Sequence, residues 1–174
     1  MIESKEEIIH PKLLKLKEII EEQYKLKPES KSIIFSNYRI TVDIINSLLK
    51  ESENLRPIVV VGQKEGLTQK EQISRIKEFE EGKYNILIGT SITEEGLSIS
   101  TLDLAIFYDH TASEIRRIQR SGRVGRVKPG KIVYLIAKNT RDEALMWVSY
   151  NKEKKMKSLL SNMKIGFESQ TKLK

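Results

Sequence analysis

The residues best placed to do chemistry lie in an eight-residue run that begins with Gln119 and ends with Arg126. If the run is helical, Gln119, Arg123 and Arg126 occupy positions i, i+4 and i+7 and share one face. Gly122 and Gly125 each cost a helix about 1 kcal/mol relative to alanine, which favours a ligand that approaches the backbone closely. Paired guanidinium groups suit a triphosphate whose charge is stabilised during transfer. A solvated arginine-rich surface helix is the alternative, but it does not require the glycines.

Short polar residues follow several apolar runs and form a second set of candidates. Thr90 and Ser91 come after one run, Ser36 and Asn37 after another, and Gln63 after a third. Ligands of open parallel sheets bind beyond the carboxyl ends of the strands, so these residues are candidates for phosphate contacts. Each of these residues also has a purely structural explanation. Thr90 and Ser91 are also ordinary strand-end residues, and Ser36 and Asn37 are also suited to cap the next helix.

The hydrophobic pattern predicts the strands and helices that carry these residues. Five short apolar runs read as buried strands, and segments with helical spacing lie between them, which predicts an α/β fold with a mainly parallel sheet flanked by helices. The predicted strands are Ser32 to Phe35, Ile58 to Val61, Asn85 to Ile88, Leu104 to Tyr108 and Lys131 to Ala137. Capping-box spacing marks three helix starts, at Thr68 with Glu71, Thr111 with Glu114 and Thr140 with Glu143.

Composition narrows the class of protein. The 174 residues are 39% hydrophobic, which suits one globular domain, and Lys+Arg 31 against Asp+Glu 24 gives a net charge of +7 that favours a polyanionic partner. The absence of cysteine excludes disulfides and thiolate metal sites, and two histidines are too few for a histidine-based metal site. No segment has the apolar length of a signal peptide core or a membrane span. We expect a cytoplasmic protein (intracellular, nucleoid-associated) that has no membrane partner.

One apparent phosphate-binding loop does not qualify. Gly125 to Lys131 has P-loop spacing, but the next residue is Ile132 where a magnesium-binding serine or threonine is needed. The segment also follows a predicted helix and opens a strand, which is the reverse of a P-loop, so we interpret Pro129-Gly130 as a turn. Neither a true P-loop nor an acidic Asp-Glu motif occurs elsewhere in the sequence.

The run from Gln119 to Arg126 resembles Q-x-x-G-R-x-G-R, the last signature motif of superfamily-two helicases, and it matches every fixed position. The resemblance implies a second (C-terminal) RecA-like lobe with a three-layer fold over residues 8–157. Residues 1–7 would be an N-terminal linker and residues 158–174 a polar tail whose disorder is left open. It implies these roles: catalytic Arg123, Arg126 and Gln119; nucleotide contacts by Gly96, Gly122 and Glu95; and nucleic-acid contacts by Ser36, Asn37, Gln63, Thr90 and Ser91.

Further phrases are most similar to the archaeal Hef, Fanconi anaemia M and Mph-type DNA helicases, among them Gly62-Gln63, Glu94 to Leu97 and Ile118 to Arg123. This resemblance implies ATP-dependent remodelling of forked or branched DNA in repair. ATP and Mg²⁺ would be bound mainly by an N-terminal RecA-like lobe, of the same or a partner polypeptide, so the chain alone is expected to be inactive. Ser98 stands where the family usually has an aspartate, which puts contact with the ribose in question. A non-catalytic nucleic-acid-binding module and an RNA helicase lobe remain alternatives.

Overall fold

A computed structural model of the chain describes residues 10–62, 67–90, 102–109 and 129–140, and the single positions 143, 144, 147 and 151. Within residues 10–140 of this set there are three helices and five strands, and the four single positions are helical. The helices are α1 (Pro11–Leu26), α2 (Arg39–Lys50) and α3 (Gln69–Glu80). The strands are β1 (Ser32–Phe35), β2 (Pro57–Val60), β3 (Ile86–Gly89), β4 (Leu102–Phe107) and β5 (Pro129–Tyr134).

The five strands form one sheet in the order β2-β3-β1-β4-β5, and every pair of neighbours is parallel. Phe35 at the end of β1 is level with Gly89 of β3 on one side and Phe107 of β4 on the other. All strands therefore end at one edge, which we call the carboxyl edge, and begin at the opposite amino edge. The expected parallel α/β architecture is confirmed.

Alternate residues of each strand feed two separate cores. On one face, α1 and α2 pack on side chains that include Ile34, Ile88 and Ile106. On the other face, α3 packs on side chains that include Ile33 and Leu87. Helices therefore cover both faces of the sheet, which gives the three layers that the sequence predicted.

The helical spacing seen in the sequence is the spacing that is buried. In α2, the side chains of Val42, Ile45, Leu48 and Leu49 are all buried. The predicted box at the start of α3 is present, because the Thr68 hydroxyl accepts from Glu71 N–H and the Glu71 carboxylate accepts from Thr68 N–H. These local interactions fix where α3 begins at the carboxyl edge.

The interpretation of Pro129-Gly130 as a turn is wrong, because these residues open β5. β5 lies at one side of the described sheet, where a proline as the first residue removes no needed donor. A Cβ built on Gly130 would lie 3.2 Å from the carbonyl oxygen of Asp103, so glycine here permits close approach of β4.

The predicted linker 1–7 and tail 158–174 lie outside the described residues, so those boundaries stay predictions. The predicted box at Thr111 and Glu114 also lies outside them. Among the described residues, α1 is the longest helix, and none of the helices has the length and hydropathy to cross a bilayer.

Candidate nucleic-acid interface

The central part of the carboxyl edge is the point where the connections of the sheet diverge. The chain leaving β1 crosses β3 to reach β2, whereas the chain leaving β4 goes the other way to β5. In open parallel sheets, ligands bind beyond the carboxyl ends of the strands where the connections diverge in this way, so the candidate site lies beyond the ends of β1 and β4. Ser36 and Asn37 follow β1 at this point, and Asp109 follows β4.

Ser36, Asn37 and Asp109 form one hydrogen-bonded cluster, which we call the edge clasp. The Ser36 hydroxyl donates to Asp109 Oδ2 at 2.8 Å, and the backbone N–H of Asn37 donates to Asp109 Oδ1. The side-chain amide of Asn37 donates to the backbone oxygen of Asp109, also at 2.8 Å. The clasp thus connects segments 72 residues apart in sequence, and it fixes the Asn37 side chain at the carboxyl edge.

The two residues that follow β1 differ in how far solvent reaches their side chains. Ser36 is fully buried, whereas Asn37 is part-exposed. A polyanion that approaches the edge can therefore reach Asn37 directly, while the Ser36 hydroxyl acts from inside the clasp. Thr90 directly follows β3 beside them, since the backbone N–H of Ser36 donates to Gly89 O at 3.1 Å.

The expected capping of α2 by Ser36 or Asn37 is not what the structure shows. The N-cap is Tyr38, whose side chain makes no capping hydrogen bond, and the first turn contains no acidic residue. The start of α2 therefore faces the carboxyl edge with the positive end of its dipole uncompensated by its own first turn. Serine and asparagine are common caps, but here the N-cap position falls on Tyr38, and the side chains of Ser36 and Asn37 donate to Asp109 instead.

Positive charge lies close to the clasp. Lys12, in the first turn of α1, places its Nζ 4.6 Å from the ring centroid of Tyr108, the residue before Asp109. The α1 N-terminus is capped by His10, whose Nδ1 accepts from the backbone N–H of Lys12 at 3.2 Å. A cation and a helix N-terminus thus stand beside the end of β4, which suits an anionic ligand at this edge.

The end of β2 is held by two side chains of α3. The buried Gln72 amide donates to Val61 O at 2.7 Å, and the Arg75 guanidinium donates to Val59 O at 2.6 Å. These bonds fix the strand end that leads to Gly62 and then to Gln63. Sequence reasoning assigned no role to Arg75, and its spacing of three from Gln72 on α3 was the available signal.

Aromatic stacking makes the edge rigid on the face that α3 covers. The rings of Phe35 and Phe107 stack with centroids 5.0 Å apart, and those of Phe107 and Tyr134 with centroids 5.1 Å apart. The last residues of β1, β4 and β5 are thereby packed together. The edge clasp is built directly on this base.

Of the sequence-predicted site residues, the structure describes Ser36, Asn37 and Thr90, and it brings all three to the carboxyl edge. The others lie outside the described residues: Gln63, Ser91, Glu95, Gly96, Gln119, Gly122, Arg123 and Arg126. Sequence reasoning missed Asp109. The signal was present, since Asp109 follows an apolar run just as Ser36 and Thr90 do, but its contacts depend on which strands are neighbours.

A model of the helicase conserved C-terminal domain matches residues 11–128. A protein of Methanocaldococcus jannaschii, provisionally named an ATP-dependent RNA helicase, is 40% identical over 163 residues, which are 91% of this chain and 21% of that protein. The ATP-dependent DNA helicase mph1 of Aspergillus niger is 35% identical over 176 residues, covering 91% of this chain and 16% of mph1. This chain therefore spans about a fifth or less of these relatives.

Among solved structures, the Pyrococcus furiosus Hef helicase domain superposes with a TM-score of 0.71 at 46% identity, over 80% of this chain and 29% of that one. This likeness confirms the RecA-like architecture. The resemblance to Hef, Fanconi anaemia M and Mph-type helicases that the sequence predicted is also confirmed. With a family model matching well over half of its length, the chain belongs to the helicase conserved C-terminal domain family of superfamily-two helicases.

Proposed function

We propose that this chain is the C-terminal motor lobe of an ATP-dependent DNA helicase or translocase that acts on forked or branched DNA in repair. The observation that carries the proposal is the convergence of Ser36, Asn37 and the start of α2 at the carboxyl edge. The named activity of mph1, an ATP-dependent DNA helicase, supports DNA as the nucleic acid.

The proposed DNA contacts go to the phosphate backbone. Asn37 offers a part-exposed amide, Thr90 offers a hydroxyl at the neighbouring strand end, and Gln63 and Ser91 are assigned to the same edge by sequence. The buried Ser36 would contribute by holding Asn37 in position. Contacts of this kind hold the strand without reading its bases, so the proposed binding is independent of sequence.

The proposed ATP contacts come from residues assigned by resemblance. Arg123 and Arg126 would stabilise the charge on the γ-phosphate, and Gln119 would orient the phosphate or the attacking water. Glu95, Gly96 and Gly122 would lie along the nucleotide, as the resemblance to superfamily-two helicases implies.

Magnesium and most of the nucleotide would be bound elsewhere. In the part of the chain that the structure describes, His, Asp and Glu side chains form no group of three that could hold a metal ion. The carboxyl edge instead offers hydrogen-bond donors, which suit phosphate oxygens rather than a cation. We therefore assign Mg²⁺ to an N-terminal RecA-like lobe of the same or a partner polypeptide, and we expect the chain alone to lack ATPase activity.

The test is the ATPase rate of the two-lobe enzyme with different nucleic acids, at one salt concentration. Forked DNA is expected to stimulate hydrolysis more than linear duplex DNA, and RNA is expected to stimulate least. The isolated chain, measured in parallel, should show no hydrolysis above buffer. Equal stimulation by linear and forked DNA would remove the preference for branched substrates and leave the DNA motor.

An RNA helicase lobe is the second candidate, and the name given to the M. jannaschii relative favours it. Backbone contacts of the proposed kind do not distinguish ribose from deoxyribose. Stronger stimulation by RNA than by any DNA would establish this alternative.

A non-catalytic nucleic-acid-binding module is the third candidate, motivated by Ser98 in place of the usual aspartate. Such a module would bind nucleic acid with steep salt dependence and would ignore ATP. An absence of ATP hydrolysis in the two-lobe enzyme, together with ATP-independent binding, would favour it.

A further inference from the structure

Asp109 already accepts hydrogen bonds from the groups of Ser36 and Asn37 that lie where the DNA phosphate is proposed to bind. Its two carboxylate oxygens accept from the Ser36 hydroxyl and the Asn37 backbone N–H, and its backbone oxygen accepts from the Asn37 side-chain amide. A phosphate oxygen cannot accept the same protons at the same time. The DNA-free lobe therefore has an internal anion in the place where an external anion is expected.

The surroundings of Asp109, which follows β4, differ from those of Asp103, an aspartate at the other end of that strand. Asp103 forms an ion pair with Lys27 and also accepts from the backbone N–H of Lys31 at 2.9 Å. Asp109 likewise accepts one backbone N–H and one side-chain donor, but both donors are neutral, and no ion pair joins it to a lysine or arginine of the described residues. Its negative charge is thus held by neutral donors at an edge suited to anions.

We propose that Asp109 is an internal competitor of nucleic-acid phosphate. In the lobe without nucleic acid, its carboxylate accepts from the Ser36 hydroxyl and the Asn37 backbone N–H, and a phosphate must displace it to bind the Asn37 N–H. The buried Ser36 hydroxyl then turns to the Tyr38 oxygen. This proposal rests on the proposed DNA contact at the carboxyl edge. It makes Asp109 a residue that sets the affinity of this edge for phosphate.

The exchange also explains why a buried serine belongs to the cluster. Ser36 reaches Asp109 from inside and lies 3.4 Å from both the backbone nitrogen and the backbone oxygen of Tyr38, at the start of α2. Displacement of the carboxylate would leave the Ser36 hydroxyl with the Tyr38 oxygen as an acceptor. The cluster thus has a hydrogen-bonded arrangement for Ser36 in both states.

The test compares Asp109→Asn with Asp103→Asn in the 174-residue chain. Both substitutions remove one negative charge from β4 and its flank, keep the side-chain shape, and lie at opposite edges of the sheet. Binding of a fluorescein-labelled single-stranded oligodeoxynucleotide is followed by fluorescence anisotropy, and folding of each variant is checked by circular dichroism. We expect Asp109→Asn to tighten binding by about ten-fold, since a carboxylate near a bound phosphate is repulsive, and Asp103→Asn to change it by about two-fold or less.

The outcomes are distinguishable. Equal tightening by both variants would show a general charge effect, and no tightening by a folded Asp109→Asn would show a purely structural clasp; either result overturns the competitor role while leaving DNA binding in place. Binding by Asp109→Asn but not by the wild-type chain would support the competitor role strongly. Absence of binding in all three chains would overturn the DNA contact itself and the competitor with it.

A measurement on the wild-type chain guards against a variant that fails to fold. The side-chain carboxyl carbons of Asp103 and Asp109 are followed by nuclear magnetic resonance during titration with the same unlabelled oligonucleotide. Displacement predicts a shift at Asp109 that saturates together with the Asn37 side-chain amide, and little change at Asp103. A saturating shift at Asn37 without one at Asp109 would overturn the proposal.

Discussion

The two edges of the sheet use polar residues in different ways. At the amino edge, the Tyr24 hydroxyl donates to Asn85 O at 2.6 Å, and the Asn85 side chain accepts from Arg56 N–H at 2.7 Å and donates to Asn54 O at 2.9 Å. Asp103 completes this edge with its ion pair to Lys27. At the carboxyl edge, neutral donors gather around the carboxylate of Asp109.

The amino edge is suited to stabilising the fold, whereas the carboxyl edge is suited to exchanging hydrogen-bond partners. The amino-edge bonds join backbone groups of neighbouring segments, and burial raises the pKa of the Tyr24 phenol, which keeps it neutral as a donor. A groove at the same edge is lined by three carboxylates, Glu21, Glu29 and Glu53, against two cations, Lys25 and Arg56, so its lining carries no excess of positive charge for phosphate. The carboxyl edge instead combines the edge clasp, the start of α2 and the nearby Lys12.

The largest expected effect comes from arginine. Arg126→Ala in the two-lobe enzyme should lower the DNA-stimulated ATPase rate by roughly 10³-fold or more, because the charge of the transferring phosphate loses its partner. DNA affinity should stay nearly unchanged. Arg56→Ala, which removes the same charge at the amino edge, is the control and should leave the rate near that of the wild type. Equal losses of ATPase activity and DNA affinity in Arg126→Ala would contradict the finger role.

Loss of a side-chain hydrogen-bonding residue at the amino edge is expected to lower the free energy of unfolding rather than the DNA affinity. Asn85→Ala leaves the Arg56 N–H and the Asn54 carbonyl without their partner, so we expect a loss of about 2–3 kcal/mol in the free energy of unfolding, measured by urea titration. Asn46→Ala is a matched control, because its buried Oδ1 has no hydrogen-bond partner among the described residues and its removal should cost far less. Weaker DNA binding by the folded fraction of Asn85→Ala would break the division between the edges.

A substitution at the carboxyl edge is expected to lower DNA affinity more than it lowers the free energy of unfolding. Asn37→Ala is expected to weaken binding of single-stranded DNA by about five-fold, because a donor to phosphate is lost while its bond to Asp109 was already exchangeable. The free energy of unfolding should change by less than about 1 kcal/mol. Anisotropy and urea titration on the same preparation measure both quantities. A large loss of stability with unchanged affinity would assign Asn37 to structure alone.

The smallest effect concerns pH. Partial burial of Asp103 acts to raise its pKa, but hydrogen bonds from Lys27 and from the Lys31 N–H outweigh burial, and the pKa is lowered from 3.8. A lowered folded-state pKa means that Asp103 stabilises the fold above about pH 4 and loses this contribution as pH falls through the folded-state value. The ion pair is partly exposed, so solvent screening limits it to roughly 0.5 kcal/mol at neutral pH.

Thermal unfolding of wild type and Asp103→Asn from pH 7 to pH 2 measures this contribution. The two stability curves should differ near neutral pH and converge in acid, whereas a difference that grows in acid would contradict the assignment. Asp43→Asn, which breaks an exposed pair with Arg39 on α2, serves as the control for loss of a surface ion pair.

Much of this architecture could be predicted because local patterns determine it. Strand β1 was predicted with its observed bounds, and the buried face of α2 followed from helical spacing. Asp109 could not be assigned from sequence, because its role depends on β4 lying beside β1, a pairing between segments about 70 residues apart. Ser36 and Asn37 do not cap α2, because the N-cap position falls on Tyr38 and their side chains donate to Asp109 instead. Pro129-Gly130 is strand rather than turn because Pro129 pairs with Leu102 of β4.

The most direct test of the account is a map of backbone amide shifts when the wild-type chain is titrated with single-stranded DNA. If DNA binds at the carboxyl edge, saturating shifts are expected at Ser36, Asn37, Thr90 and Asp109. Shifts should be minimal at the amino edge, at Lys31, Ser32, Asn85 and Asp103. Shifts centred on the amino edge, or spread evenly over both edges, would contradict it.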